Sequence, residues 1–272
     1  MTGGHWTLDD IPWEQFDAAK VDPELVKIVK AASLVEYNGR DYAAYLCNVF
    51  HDDPDFKGAA MSWAEEEVQH GAALARWAKL ADDNFDFEHS FGRFRDGYQI
   101  AVESSDSIRG SRSGELVARC IVEVGTSSYY ASIGATTDEP VLRAICRNIA
   151  ADELRHYKLF YAHLRRYLDH EGIGKWKRLG VALSRIGESE DDELAYAFYA
   201  ANENQATPYD RKTCGRAYMK RAFACYREPQ IKRAVAMIFK AAGLNPQGRT
   251  AGLAARAAYG FVRLRGRMLK AA

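Results

Sequence analysis

Two short stretches repeat one arrangement of acid and imidazole, Trp63-Ala-Glu-Glu-Glu-Val-Gln-His70 and Ala151-Asp-Glu-Leu-Arg-His156. Each holds a Glu-x-x-His step, Glu67 to His70 and Glu153 to His156. On a helix, positions three apart share a face with β-carbons roughly 5–6 Å apart, so one carboxylate and one imidazole can reach the same metal ion. Two such helices facing each other can hold two metals once two further carboxylates join them. Glu36 and Glu123 are the candidates, each about thirty residues before the Glu of its Glu-x-x-His step. A chain with 18 Glu and 7 His yields about half of one such step by chance, so a lone match means little. Two matches with partner acids at the same offset carry more weight.

The neighbours of these acids on a helical face are small or apolar. Ala32, Ser33, Gly39 and Ala43 flank Glu36; Ala60, Trp63, Ala64 and Gly71 flank Glu67. Cys120, Thr126, Ser127 and Tyr130 accompany Glu123, and Cys146, Ile149, Ala150 and Phe160 accompany Glu153. The four carboxylates therefore point into a core, where each uncompensated ion costs several kcal/mol. Two divalent cations balance four negative charges, and two neutral imidazoles complete the set. Such a donor set suits iron or manganese, and the lack of thiolates argues against structural zinc. The competing reading is a metal-free bundle whose acids pair with arginines such as Arg40, Arg119 and Arg155.

Four long helices must position these residues. Asp22-Pro23 is an N-cap followed by proline at the first helical position, and predicts a helix to about residue 50. A turn at 51–55 leads to a second helix over about 56–80. Residues 81–112 are irregular, with a short helical piece near 91–99. A third helix covers about 114–133, and a fourth follows Gly134-Ala-Thr-Thr-Asp-Glu-Pro140 to about His170. Short, long, short is the connection order of two helical hairpins joined by one crossover, as in ferritin-like bundles. Each helix carries one of the four acids. The predicted fold is thus all-α, a ferritin-like four-helix bundle with additional C-terminal helices over about 175–187, 189–203, 209–226, 228–243 and 249–270. The chain divides into an arm (1–21), the bundle (22–187) and a basic extension (188–272).

Composition narrows the function classes. No run of about 18 apolar residues is present, which excludes a membrane-spanning helix, and the N-terminus lacks the pattern of a signal peptide. Five widely spaced cysteines without a Cys-x-x-Cys fit a reducing compartment, so the expected location is cytoplasmic. Net charge is zero, yet from Gln205 onward fifteen Lys and Arg face only Asp210 and Glu228. That asymmetry predicts an internal electrostatic dock or an acidic partner rather than a nucleic acid.

The motifs resemble those of the soluble acyl-acyl-carrier-protein desaturases. Trp63-Ala-Glu-Glu-Glu-Val-Gln-His70-Gly71 is similar to their Trp-x-x-Glu-Glu-x-x-His-Gly segment, Asp152-Glu-Leu-Arg-His156 to their Asp-Glu-x-Arg-His, and Glu123-Val-Gly-Thr126 to their Glu-x-x-Thr. Leu34-Val-Glu36-Tyr fits their first helix more loosely. The resemblance spans about 30–170 and implies a ferritin-like diiron carboxylate protein with two iron ions, manganese being the other fit. It makes Glu36, Glu67, His70, Glu123, Glu153 and His156 the ligands, with Glu67 and Glu153 bridging, and places Thr126 beside the oxygen-binding face. It implies desaturation of a fatty-acyl chain on acyl carrier protein, an external donor such as a ferredoxin, and a homodimer. A diiron hydroxylase with another substrate and an iron-handling or peroxide-scavenging protein share the same ligands. Around the ligands, Asp152 is expected to orient an imidazole or to pair with Arg155. Trp63 and Tyr130 read as core or as electron relays. Thr126 reads as a proton donor or as a hydroxyl bonded back to its own helix.

Overall fold

A computed structural model describes residues 5–188 and 192–271. The chain is all-helical, and no strand occurs among the described residues. The long helices begin where local chemistry satisfies their free N–H groups. Helix α1 (Pro23–Tyr37) starts from Asp22, whose side chain accepts from Glu24 N; α3 (Pro54–Ala81) starts from Asp53, which accepts from Phe56 N. Helix α5 (Arg112–Thr136) is capped by Ser111, and α6 (Pro140–Glu171) by Glu139, which accepts from Val141 N and Leu142 N. Helix α6 ends at Gly172 with φ of 63°, the left-handed conformation that glycine adopts without strain.

The expected helix over 22–50 is two helices. It breaks at Asn38, after which α2 (Gly39–Val49) also packs against α3. At the break the bonds tighten to the three-residue type, Asn38 N to Val35 O and Asp41 N to Asn38 O. Asn is poorly suited to helix interiors, and the joint lies where backbones approach closely. A β-carbon added to Gly39 would lie 2.5 Å from Glu67 Cβ, and one on Gly71 2.5 Å from Tyr37 N. These two glycines let the α1–α2 joint sit against α3.

Helices α1 and α2 pack along α3, α5 packs along α6, and α3 meets α6. The link between α2 and α3 covers 50–53 and that between α5 and α6 covers 137–139, whereas 82–111 crosses over and carries α4 (Phe87–Gly97). Around this core lie α7 (Lys175–Gly187), α8 (Asp192–Asn202), α9 (Arg211–Cys225), α10 (Glu228–Ala241) and α11 (Arg249–Ala271). The expected start of α8 at 189, like the first four residues of the arm, falls outside the described residues. No described helix is long and apolar enough to cross a membrane, and all five cysteines are unpaired.

Apart from a small cluster between α10 and α11, apolar packing forms two large layers in the bundle. One joins Val29, Leu34, Trp77, Ile133 and Ile149; the other joins Phe50, Phe56, Trp63, Leu116 and Phe160. Between them each long helix contributes buried polar residues: Glu36, Glu67, His70, Glu123, Asp152, Glu153 and His156. A polar layer in the middle of a core is stable only where every group is compensated.

Candidate metal centre

All six residues expected as ligands converge in that layer. One atom from each of Glu36, Glu67, His70 and Glu153 lies within 4.8 Å of the others, and the same holds for Glu67, Glu123, Glu153 and His156. The two groups share Glu67 and Glu153. His70 Nδ1 stands 3.7 Å from Glu36 Oε2 and 3.4 Å from Glu153 Oε1. His156 Nδ1 stands 3.0 Å from Glu67 Oε1 and 3.5 Å from Glu123 Oε2.

Each of the six also keeps one buried atom without a hydrogen-bond partner: Glu36 Oε2, Glu67 Oε1, His70 Nδ1, Glu123 Oε1, Glu153 Oε1 and His156 Nδ1. Buried polar atoms are rarely left so, and five of these orphans are the atoms that face one another across the cluster, Glu123 facing His156 with Oε2 instead. None of the four acids has an arginine partner among the described residues. Arg40 pairs with Glu65, Arg119 with Glu115, and Arg155 with Glu66 and Asp152. The four acids are therefore not held by arginines. The donor set of four carboxylates and two imidazoles fits two divalent cations in charge and in ligand type.

The outer faces of the imidazoles are fixed by a reciprocal arrangement. His70, on α3, donates from Nε2 to Asp152 Oδ2 of α6 at 3.1 Å; His156, on α6, donates from Nε2 to Glu66 Oε2 of α3 at 3.0 Å. A carboxylate partner requires the proton on Nε2, which leaves Nδ1 facing the cluster, the arrangement typical of metal-bound histidine. Arg155 joins the two acids, donating to Asp152 and, at 2.8 Å, to Glu66. The orientation expected of Asp152 and its pairing with Arg155 thus coexist.

Tyr130 donates to Glu36 Oε1 at 2.6 Å, so it touches a ligand directly. Trp63 makes edge contacts with His156 and Phe160 and belongs to the apolar layer. Thr126 Oγ1 lies 2.8 Å from Glu153 Oε2 and 3.1 Å from Val122 O. Glu123 O lies 3.2 Å away as well, so the ligand contact and the helix back-bond share one hydroxyl proton.

Three residues escaped sequence reasoning. Glu66 precedes Glu67 as Asp152 precedes Glu153, and the internal repeat contained that signal. Trp6, in the N-terminal arm, donates from Nε1 to Asp152 Oδ2 at 2.6 Å and stacks on His70 with ring centroids 6.0 Å apart. His5 Nδ1 lies 3.1 Å from Glu66 Oε1. No periodicity marks the last two.

Electrostatics reflect the crowding. Burial pushes Glu67 well above the usual carboxylate range, helped by the charges of Glu153 and Glu36. Burial raises Glu123 to about 8, against the pull of His156. Glu153 also suffers from burial, but His156 and His70 outweigh it and hold it low. For both histidines burial favours the neutral ring, yet the surrounding carboxylates prevail and push them well up. The metal-free protein thus holds protons where cations would sit.

No protein-family model matches this sequence, and no match is found among curated proteins. The likeness to desaturases rests on the motif residues alone.

Proposed function

We propose that this chain is a non-haem diiron oxidase or oxygenase of ferritin-like architecture that uses dioxygen to oxidise a C–H bond of an acyl chain. The observation that carries this reading is the set of six buried acids and imidazoles on four helices, each with an unpartnered atom, divided into two groups that share Glu67 and Glu153. Two hairpins joined by a crossover support the architecture. Two iron ions, when bound, supply electrons to dioxygen. The protein's own residues do the rest. Asp152 and Glu66 hold the imidazole N–H groups, Tyr130 holds Glu36 Oε1, and Thr126 holds Glu153 Oε2. Thr126 is half-buried and follows the exposed Gly125, while Glu123 and Glu153 are buried. This side of α5 is the natural approach for a small molecule, and the Thr126 hydroxyl is placed to donate a proton there.

The acyl chain comes from the resemblance, as do delivery on acyl carrier protein and an external donor such as a ferredoxin. The basic helices α9 to α11 offer a surface to either acidic partner. Metal analysis of protein from iron-supplemented cells tests the core of the proposal. About two irons per chain are expected, and Glu67→Ala or Glu153→Ala should remove them. Less than about one metal per chain, or unchanged content in both variants, would refute it. Mass spectrometry of acyl products after supply of reductant and oxygen separates desaturation from hydroxylation.

A further inference from the structure

A groove of about 370 Å³ runs between α5, α6 and α10, beside the cluster. Its walls are mainly apolar, with Ala131, Ala150 and Leu154 among them, and Tyr130 lies at its inner side. The Tyr130 hydroxyl is the one bonded to Glu36, so the inner wall of the groove is one residue from the metal ligands. Leu154 follows the ligand Glu153 in sequence. Three arginines also line it, Arg143, Arg147 and Arg233. Arg143 is engaged, donating to Thr137 O at 2.5 Å and lying 3.5 Å from Asp138 Oδ1. Arg147 and Arg233 are exposed and have no ion pair or hydrogen bond among the described residues.

We infer that this groove binds the substrate as a free acid, not on the carrier that the desaturase resemblance implies, with the carboxylate held by Arg147 and Arg233 and the apolar chain running over Ala150 to Leu154 and Tyr130. Guanidinium groups match a carboxylate in charge and in planar, two-pronged geometry. A thioester carbonyl is neutral and leaves both arginines unused. A mainly apolar groove with a few charged groups in its lining is the pattern of small-molecule sites, and the volume falls within their range. Arg147 and Leu154 are seven residues apart on one helix, about 10 Å at 1.5 Å per residue. That length selects a medium chain whose far end, not its head, reaches the cluster. The catalytic meaning of this site rests on the diiron reading, but binding does not.

Calorimetric titration of the full chain with octanoate and octanol, with and without metal, tests the inference. Octanoate should bind at least about tenfold more tightly than octanol. The Arg147→Ala/Arg233→Ala variant should lose about a hundredfold for octanoate, with octanol binding and metal content unchanged. Leu154→Phe should shift the preferred acid toward hexanoate while the circular dichroism of the chain stays native. In manganese-loaded protein, the terminal methyl protons of octanoate should relax faster than those beside the carboxylate. Equal affinity for acid and alcohol, retained octanoate binding in the double arginine variant, or binding of an octanoyl-carrier thioester alone would overturn the free-acid site. Arginine-dependent octanoate binding by a chain that takes up no metal would refute the diiron function and leave the groove standing.

Discussion

Replacing Glu123 by glutamine should reverse its effect on stability according to whether metal is present. In the metal-free protein, burial raises the Glu123 carboxyl from 4.5 to about 8, with the Glu153 charge adding to the rise and His156 opposing it. A carboxyl raised on folding holds its proton in the native state after the unfolded chain has released it. Native stability is therefore full below about pH 4.5 and falls as pH climbs toward about 8. At about pH 7 the interval from the unfolded value is about 2.5 pH units, or about 3 kcal/mol at 1.36 kcal/mol per unit. Glutamine keeps the shape and does not titrate. Glu123→Gln should match the parent near pH 4.5 and exceed it by about 3 kcal/mol near pH 7 in urea unfolding with chelator present. With metal supplied the order should invert, because cations that bind only the native parent stabilise it by mass action. A variant that is no more stable than the parent at neutral pH without metal, after matching it in acid, would show that Glu123 is not a buried carboxyl whose ionisation awaits a ligand.

Metal uptake should release protons and strengthen with rising pH: the carboxylates around His70 and His156 outweigh burial and keep both protonated in the metal-free cluster, and Glu67 is raised by burial and like charge. An indicator dye in weakly buffered solution that records no release on cobalt addition would contradict this. Asp152→Asn and Glu66→Gln should each weaken metal affinity about 10- to 100-fold through the imidazole they orient, read by competition with a chelator. Unchanged affinity in both would mean that the histidines are held by the helices alone. Gly71→Ala should cost about 1–3 kcal/mol or more, since the new β-carbon meets the Tyr37 backbone at 2.5–2.7 Å. Gly92→Ala, with nothing within 4 Å, should instead gain about 1 kcal/mol of helix propensity. Equal urea midpoints for the two would show that α1 and α3 do not approach so closely.

Much of this arrangement could be read from the chain because it is local. The Asp-Pro starts at 22 and 53 and the Glu139-Pro140 start are caps whose partners lie two or three residues away. The Glu-x-x-His spacing needs only a helix to become a face. The break at Asn38 was hidden because the apolar period runs through it, and its cause is the contact of Gly39 with Glu67 on another helix. Glu66 was legible in principle, since it repeats the register of Asp152, but a search for ligands passes over a residue that only steadies one. Trp6 was not legible at all. It bonds to a residue 146 positions away, and an aromatic in an arm without a long helical period has no pattern to betray it.

The crossing of the two outer acids explains why so polar a layer can specify one packing. If Glu66 steadied His70 and Asp152 steadied His156, each helix would be self-contained, and α3 could slide past α6 without losing either bond. Instead each acid serves the imidazole of the opposite helix, and Arg155 joins the two acids to each other. A slip of one turn, about 5.4 Å, breaks both imidazole bonds at once. Apolar layers above and below tolerate many registers, because hydrophobic contact has no direction. Hydrogen bonds do, and an unmade one in this layer leaves a buried charge unpaired. The two acids that aim the Nδ1 atoms at the cluster therefore also fix the register that brings Glu67 and Glu153 to its centre.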